Sequence, residues 1–402
     1  MLEKTFISNY KSVKDLELSL SKINILVGPN NSGKTSILEG ISLMRELFTS
    51  NYNCCEENLQ LPVVRLNKVS YNKLVHGFKE DQLIKLGFIW RKDKDKYKKI
   101  IGISPKKATL EVCFNSRCLV AECVQDERVI TRYHLTVNSV AAEEKSFNDY
   151  LWSKDISVFR VNEEISMANK TITGLAQKIF FITAERGTHQ LYHPVPDNLP
   201  SPKDARIQDA FDILYFIRYK TSFTRTNKII NEFLKPYNFE DIRTLPVPGK
   251  KYEVVVKDTL LNNDINVAQI GFGLNQLIPI LILLSYYPDE SLILIEQPEL
   301  HMHPRLQSEF AKLIEYASKT KRHQLVIETH SEHILFNLLN LVAKKRISKD
   351  DLRIYYVHKD GSETKVDALK ITEHGTIEGG VPEFFDTEFD TFLDWVQSIS
   401  ER

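Results

Sequence analysis

Apolar and polar positions fall into three successive patterns along the chain. Near the start, Ile23, Ile25 and Val27 mark the end of a strand. GPNNSGKT follows, and Ile37, Leu38, Ile41, Met44 and Leu47 then recur on one helical face. From about Leu61 to Ser139, runs such as KLGFIW and ATLEVCF alternate between turn residues, which predicts an antiparallel β region. KIFFITAER, around Ile179 to Arg186, reads as another apolar strand ending in polar residues. Residues 204–233 read as helical, with Phe211, Leu214, Tyr215, Ile217, Ile229, Ile230 and Phe233 apolar. That stretch is short and has no sustained heptads, so no long coiled coil is expected. From Gly271 the pattern becomes helix LNQLIPILILLS, strand SLILI, helix RLQSEFAKLIEYA, strand QLVIET, helix SEHILFNLLNLVAKK and strand LRIYYVHK.

Alternating strands and helices at both ends predict an α/β class with one interrupted core. The expected division is residues 1–50 and 260–402 as two halves of that core. Residues 51–175 form a β-rich part, and 176–259 a strand plus a short helical insertion.

Composition narrows the partners. Lys plus Arg and Asp plus Glu are both 53 of 402 residues, so any nucleic-acid contact must come from a local patch rather than a broad basic face. RKDKDKYKK, Arg91 to Lys99, is such a patch, but reads better as a solvated hairpin tip. No apolar run reaches the roughly 18 residues of a membrane span, and MLEKTFISNYKS lacks a signal-peptide core, so a cytoplasmic chain is expected. Five cysteines do not make a disulfide framework. Cys113, Cys118 and Cys123 are read as small hydrophobes on strands, against a metal site for which no fourth ligand is evident nearby.

The strongest chemical signal is Gly28-Pro-Asn30-Asn31-Ser32-Gly33-Lys34-Thr35-Ser36 between a strand and a helix, a P-loop. Its glycines let successive N–H groups point at phosphate oxygens. Lys34 is placed for the β- and γ-phosphates of ATP, and the Thr35 hydroxyl for Mg²⁺. LILIEQPE gives a buried strand ending in Glu296, the Walker B carboxylate that reaches the Mg²⁺ shell. Gln297 follows, where a glutamate ordinarily polarises the attacking water. An amide orients water but takes no proton, and Glu299 is the nearest replacement carboxylate. Glu328-Thr329-His330-Ser331 closes another apolar strand and places His330 to sense the γ-phosphate.

Gly271-Phe-Gly273-Leu-Asn-Gln276 opens an apolar helix where a γ-phosphate-capping signature turn belongs, against the simpler reading of a glycine-started core helix. Arg186 is a candidate for the nucleotide linker, against a surface ion pair. His301 and His303 follow the Walker B stretch, where ATPases of the ABC type are expected to place a loop that meets a second subunit. Joined with His330 and His333 they would suggest zinc, but no acidic or cysteine cluster completes that set. Thr364-Lys-Val-Asp367 is similar to a guanine-reading motif, and strand alternation explains it as well.

Taken together, FISNYKSVKDLELSLSKINILVGPNNSGKTSILEGI, IGFGLNQLIPILI, LILIEQPELHMHPRLQSEFAKLI and LVIETHSEHIL resemble the RecF/SMC-like ATPases around the OLD nucleases. The resemblance covers about half the chain and is nearest to stand-alone ATPase subunits of bacterial antiphage systems such as Septu and PARIS. It departs from the family pattern at Gln297 and at the signature serine, whose place Gly271 takes. It implies an ABC-type P-loop ATPase head with an inserted β-rich region and a short helical segment. It also implies head-to-tail dimers around ATP, with higher assemblies built from them. The chain is expected to end too early for the nuclease domain of OLD proteins, so a separate effector, a nuclease, is implied. Nucleic acid would be reached through the assembly. A RecF-like DNA-repair ATPase is the alternative. A GTP-driven regulator and a transporter ATPase fit less well. The tail from Gly379 to Trp395, with Phe384, Phe385, Phe389 and Phe392, is expected to meet a partner or to pack on its own domain.

Overall fold

The computed structural model describes residues 1–49, 60–61, 69–70, 73–78, 82–104, 107–115, 117–126, 129–130, 134–137, 140–142, 163–202, 205–217 and 221–382. In chain order the first elements are β1 (Leu2–Tyr10), β2 (Val13–Ser19), β3 (Ile23–Val27) and α1 (Lys34–Thr49). Then come β4 (Ile84–Lys92), β5 (Asp95–Ile103), β6 (Lys107–Phe114), β7 (Arg117–Asp126), β8 (His134–Val137), β9 (Val140–Ala142) and α2 (Glu163–Ala176). β10 (Ile179–Ile182), α3 (Ala210–Ile217), α4 (Thr221–Leu234), β11 (Phe239–Val247), β12 (Lys251–Asp258) and β13 (Asn263–Asn266) follow. The last elements are α5 (Phe272–Tyr286), β14 (Leu292–Glu296), α6 (Pro304–Thr320), β15 (Gln324–Glu328), α7 (Glu332–Ala343), β16 (Leu352–Asp360) and β17 (Glu363–Leu369).

The chain forms two compact units. One comprises Met1–Ile179, Asp350–Thr372 and Ile377–Arg402, the other Phe180–Lys349 and Glu373–Thr376. In the first, an antiparallel sheet runs β9-β8-β7-β6-β5-β4-β1-β2. β3 pairs in parallel with β16, which turns back antiparallel into β17. Every residue of β3 is buried, as its unbroken apolar run requires. α1 buries Ile37, Leu38, Ile41, Met44 and Leu47, the face its 3.6-residue spacing predicts. In the second unit, β14 and β15 run parallel and wholly buried. A separate antiparallel sheet orders β11, β12 and β13. β11 and β12 lie within residues 176–259, where a strand and a short helical segment are expected, and β13 lies just beyond. No helix of the described residues is long and apolar enough to cross a membrane.

Two expectations for the β-rich part are corrected. Arg91 to Lys99 does form a hairpin, with Lys92 opposite Asp95. Lys99, however, is not solvated. Strand parity places it on the inner face between Tyr97 and Ile101, and it is 5% exposed. Its ammonium donates to Asn169 Oδ1 of α2 at 2.9 Å and lies 4.9 Å from the centre of the Phe48 ring of α1. Burial pushes its pKa down to about 8. Second, Cys113 and Cys118 are a disulfide facing each other across the β6–β7 hairpin, not free thiols. Cys123 pairs in register with Ala108. Of the Gly379–Trp395 tail only residues 379–382 are described, and Phe384, Phe385, Phe389, Phe392 and Trp395 lie outside the described residues.

Lys99 gives a stability test. The fold disfavours its charged form, so the cost is full below about pH 8 and is lost as pH rises towards the ordinary lysine value. Lys99→Met removes the charge but leaves Asn169 short of a donor, for a net gain on the order of 1–2 kcal/mol at pH 7. Urea unfolding at pH 7 and pH 10 should show the variant's advantage shrinking at the higher pH. A constant difference would contradict a buried ammonium.

Candidate functional site

The P-loop lies wholly in the first unit. β3 delivers the chain to Gly28, whose φ is +141° and where a Cβ would lie 2.0 Å from the Val357 carbonyl oxygen. Gly33 has φ +109°, and a Cβ there would meet Thr364 Oγ1 at 2.2 Å. Neither position accepts a side chain, so the loop stays a bare backbone cradle. Asn31 adds a left-handed φ of +63°, and Asn30 and Asn31 are exposed at the loop's outer edge. Lys34 is buried and donates to the Gly28 and Pro29 carbonyls at 3.0 and 2.7 Å and to Ser32 Oγ at 3.3 Å. Thr35 and Ser36 occupy the first turn of α1.

β17 holds this loop from behind. Thr364 Oγ1 donates to the Ser32 carbonyl at 2.9 Å and lies 2.8 Å from Ser12 Oγ. The Thr364 N–H donates to the Ser12 carbonyl. The guanine-like TKVD motif is thus a β-strand whose threonine braces the P-loop. Neither Ser12 nor Thr364 was legible as a site residue, because their contact spans most of the chain.

The other motif residues lie in the second unit. Glu296 ends β14, is 2% exposed and accepts from the Ala184 N–H at 3.2 Å. It sits in register with Glu328 at the end of β15, so two buried carboxylates lie abreast. Gln297 turns the chain with φ +39°, its N–H donating to the Glu328 carbonyl at 2.9 Å. Glu299 accepts from Thr329 Oγ1 at 2.8 Å and from the His330 N–H at 2.7 Å. Burial raises its carboxyl above the usual range, and these donors partly oppose that. Ser331 caps α7 by accepting from the Ile334 N–H at 3.0 Å and donates to Gln307 Oε1.

Arg186 is buried, which removes the surface ion-pair reading. Nη1 donates to the Thr183 and Glu296 carbonyls and Nη2 to those of Gln297 and Pro298, while Nε is buried without a partner. Desolvation pushes its pKa down to about 10, and Glu299 and Glu296 oppose the shift. The guanidinium thereby pins the Glu296–Pro298 turn.

The glycine turn caps α5. Gly271 is exposed and its carbonyl accepts from the Leu274 and Asn275 N–H groups. Gly273 passes the 301–302 backbone so closely that a Cβ would sit 3.0 Å from the His301 oxygen. Gln276 Oε1 accepts from the Gly187 N–H, and Asn275 grips Thr188 through both amide atoms. His303 caps α6 with Nδ1, and His333 lies in the first turn of α7. A cavity of about 580 Å³ in this unit is lined by Arg186, His189, His193, Gln208, Gln276 and His301, among others.

A glycine cradle opening a helix in one unit, together with strand-end carboxylates in the other, is the motif set of a P-loop nucleotide-hydrolysing protein. The chain matches the AAA ATPase domain family over residues 1–335 and belongs to it. Among curated proteins, the endonuclease GajA of Bacillus cereus (strain HuB5-5) is 31% identical over 185 residues. That is 38% of this chain and 26% of GajA, so the chain spans about a quarter of that relative's length. Among solved structures, an SMC head bound to the C-winged helix domain of ScpA is similar with a TM-score of 0.50. It is 13% identical, over 92% of this chain and 98% of that one. An SMC head domain from Thermotoga maritima gives 0.46 at 10% identity, over 92% and 99%. The fold is that of an SMC-type, ABC-like ATPase head.

Proposed function

We propose that the chain binds Mg-ATP, hydrolyses it slowly, and closes head-to-tail on a second copy around the nucleotide to govern a separate effector of nuclease class in antiphage defence. The observation that carries this reading is the pairing of an intact phosphate cradle with Gln297 where a proton-accepting carboxylate would stand. The residues fit a triphosphate: Gly28 and Gly33 leave the cradle open, and the buried Lys34 ammonium is already among backbone acceptors that phosphate oxygens can replace. Thr35 and Glu296 are the oxygen donors assigned to Mg²⁺, which would supply charge neutralisation on the phosphates. Glu299 is a poor substitute for the missing base, because both its oxygens already hold the Thr329–His330 turn.

In this reading His330 senses the γ-phosphate, its backbone fixed by Glu299. Gly271 and Gly273 cap the nucleotide of the facing copy with the N-terminus of α5, a helix end suited to an anion. Arg186 and Gln276 position the Walker B turn and the 187–188 loop rather than touching nucleotide first. The partial match to an endonuclease supports a nuclease partner, and the solved SMC head with a bound winged-helix domain supports a head surface that takes partner proteins. The sequence resemblance supports the defence setting.

Sedimentation with and without Mg-ATP tests the dimer. Gly271 has open space around the position a Cβ would take. Gly271→Asp therefore leaves the fold and ATP binding intact but sets a carboxylate against the partner's phosphates. Wild type is expected to dimerise with Mg-ATP, and Gly271→Asp to remain monomeric while still binding ATP. A dimer equally strong in both would overturn the role given to Gly271, and salt-sensitive DNA binding by the chain alone would favour a DNA-repair clamp instead.

A further inference from the structure

The β6–β7 hairpin carries a cluster that nucleotide chemistry does not use. Cys113 and Cys118 lie directly opposite in the strand register, Cα atoms 4.1 Å apart. Glu111 is two residues before Cys113 and so faces the same side of the sheet. Its Oε1 is 3.5 Å from Cys113 Sγ. One ligand atom from each of the three lies within 4.8 Å of the others.

We propose that Glu111, Cys113 and Cys118 form a redox-gated site for a thiophilic divalent cation such as zinc, with the disulfide as its closed form. Three observations support a metal over a purely structural crosslink. A tetrahedral ion with sulfur at about 2.3 Å and a carboxylate oxygen at about 2.0–2.2 Å holds the two roughly 3.5 Å apart. The Cys113–Glu111 contact already has that length. The disulfide closes only a short hairpin loop, where a crosslink constrains the unfolded chain far less than one spanning a long loop. Finally, an M²⁺ ion with two thiolates and one carboxylate keeps one excess negative charge. The Lys98 ammonium, 2.6 Å from Glu111 Oε1, stands ready to balance it. Cys113 is buried while Cys118 and Glu111 are partly exposed, which leaves the fourth position to water.

Opening the site requires a dithiol reductant. It supplies two electrons and two protons, the Cys113–Cys118 S–S bond breaks, two S–H groups form, and the reductant closes its own disulfide. Metal binding then releases the two thiol protons to solvent. Exchange with a disulfide oxidant, which takes up two electrons from the thiolates and two protons from solvent to become a dithiol, re-forms the Cys113–Cys118 bond and expels the ion.

The test uses the full chain and Co²⁺ as a coloured stand-in for zinc. Protein reduced with a dithiol, freed of reductant under anaerobic conditions and titrated with Co²⁺ should show one thiolate-to-metal charge-transfer band per chain. The oxidised chain should show none. Cys54→Ser/Cys55→Ser should keep the band and Cys118→Ser should lose it. Because a lost band could also report a disturbed hairpin, Glu111→Gln provides a second reading. It leaves both thiols in place and should weaken Co²⁺ binding by roughly tenfold or more. No band in the reduced wild type, an unchanged band in Cys118→Ser, or wild-type affinity in Glu111→Gln would each overturn the proposal.

Discussion

Lys34→Met is expected to bind Mg-ATP roughly 100- to 1000-fold more weakly than wild type, the loss of two charge-assisted hydrogen bonds to phosphate. The Lys34 ammonium is buried and bonded to Gly28, Pro29 and Ser32. Methionine keeps the apolar stem, so the change tests charge rather than packing. The measurement is thermal unfolding against ATP concentration, since a ligand that binds only the folded state stabilises it as RT ln(1 + [L]/Kd). Wild type should show a rising midpoint with Mg-ATP and a smaller response to Mg-GTP. Lys34→Met should stay flat over the same range. A second variant separates the cradle from the charge: Thr364→Val removes the hydroxyl that braces Ser32 and leaves Lys34 in place. It should weaken ATP by a smaller factor. If Lys34→Met shifted with ATP as wild type does, the P-loop assignment would fail.

Local signals were legible and long-range ones were not. The P-loop, the buried strands before Glu296 and Glu328, and the helices after them are continuous in sequence, and their apolar periods survive folding unchanged. α2 escaped because its buried stripe is Ala168, Ile172 and Ala176, too small to stand out among threonines and an asparagine. The β11–β13 sheet escaped because β11 carries Asp241, Arg243 and Pro246 and buries little: only Ile242 and Thr244 are inside. Lys99 was misread because charge in a run of lysines suggests solvent, whereas strand parity decided its side. The bracing of Ser32 by Thr364, and the pinning of the Glu296–Pro298 turn by Arg186, join residues 332 and about 110 positions apart. No spacing rule reaches that far. Even the hairpin that opposes Cys113 to Cys118 was readable, but not that the two sulfurs bond.

Gln297→Glu is expected to raise the single-turnover rate of ATP hydrolysis by about 10²–10⁴-fold, the usual contribution of a positioned general base. Gln297 occupies a strained turn, with φ +39°, held from two sides. Its N–H is tied to the Glu328 carbonyl and its own carbonyl to Arg186. Glutamate is nearly isosteric with glutamine, so it should enter that turn without moving either anchor. The new carboxylate would supply the lone pair that an amide lacks and take the proton from the attacking water. Glu299 offers the competing account, a carboxylate two residues on. Both its oxygens are engaged, by the Thr329 hydroxyl and the His330 N–H, which turns them away from the role of proton acceptor. Glu299→Gln should therefore loosen the His330 turn and lower ATP response modestly, while leaving the slow single-turnover rate little changed. A slow wild-type enzyme accelerated by Gln297→Glu fits a switch that stays closed on one bound nucleotide. Rapid wild-type turnover that vanishes in Glu299→Gln would hand the catalytic role to Glu299 and end the slow-switch reading.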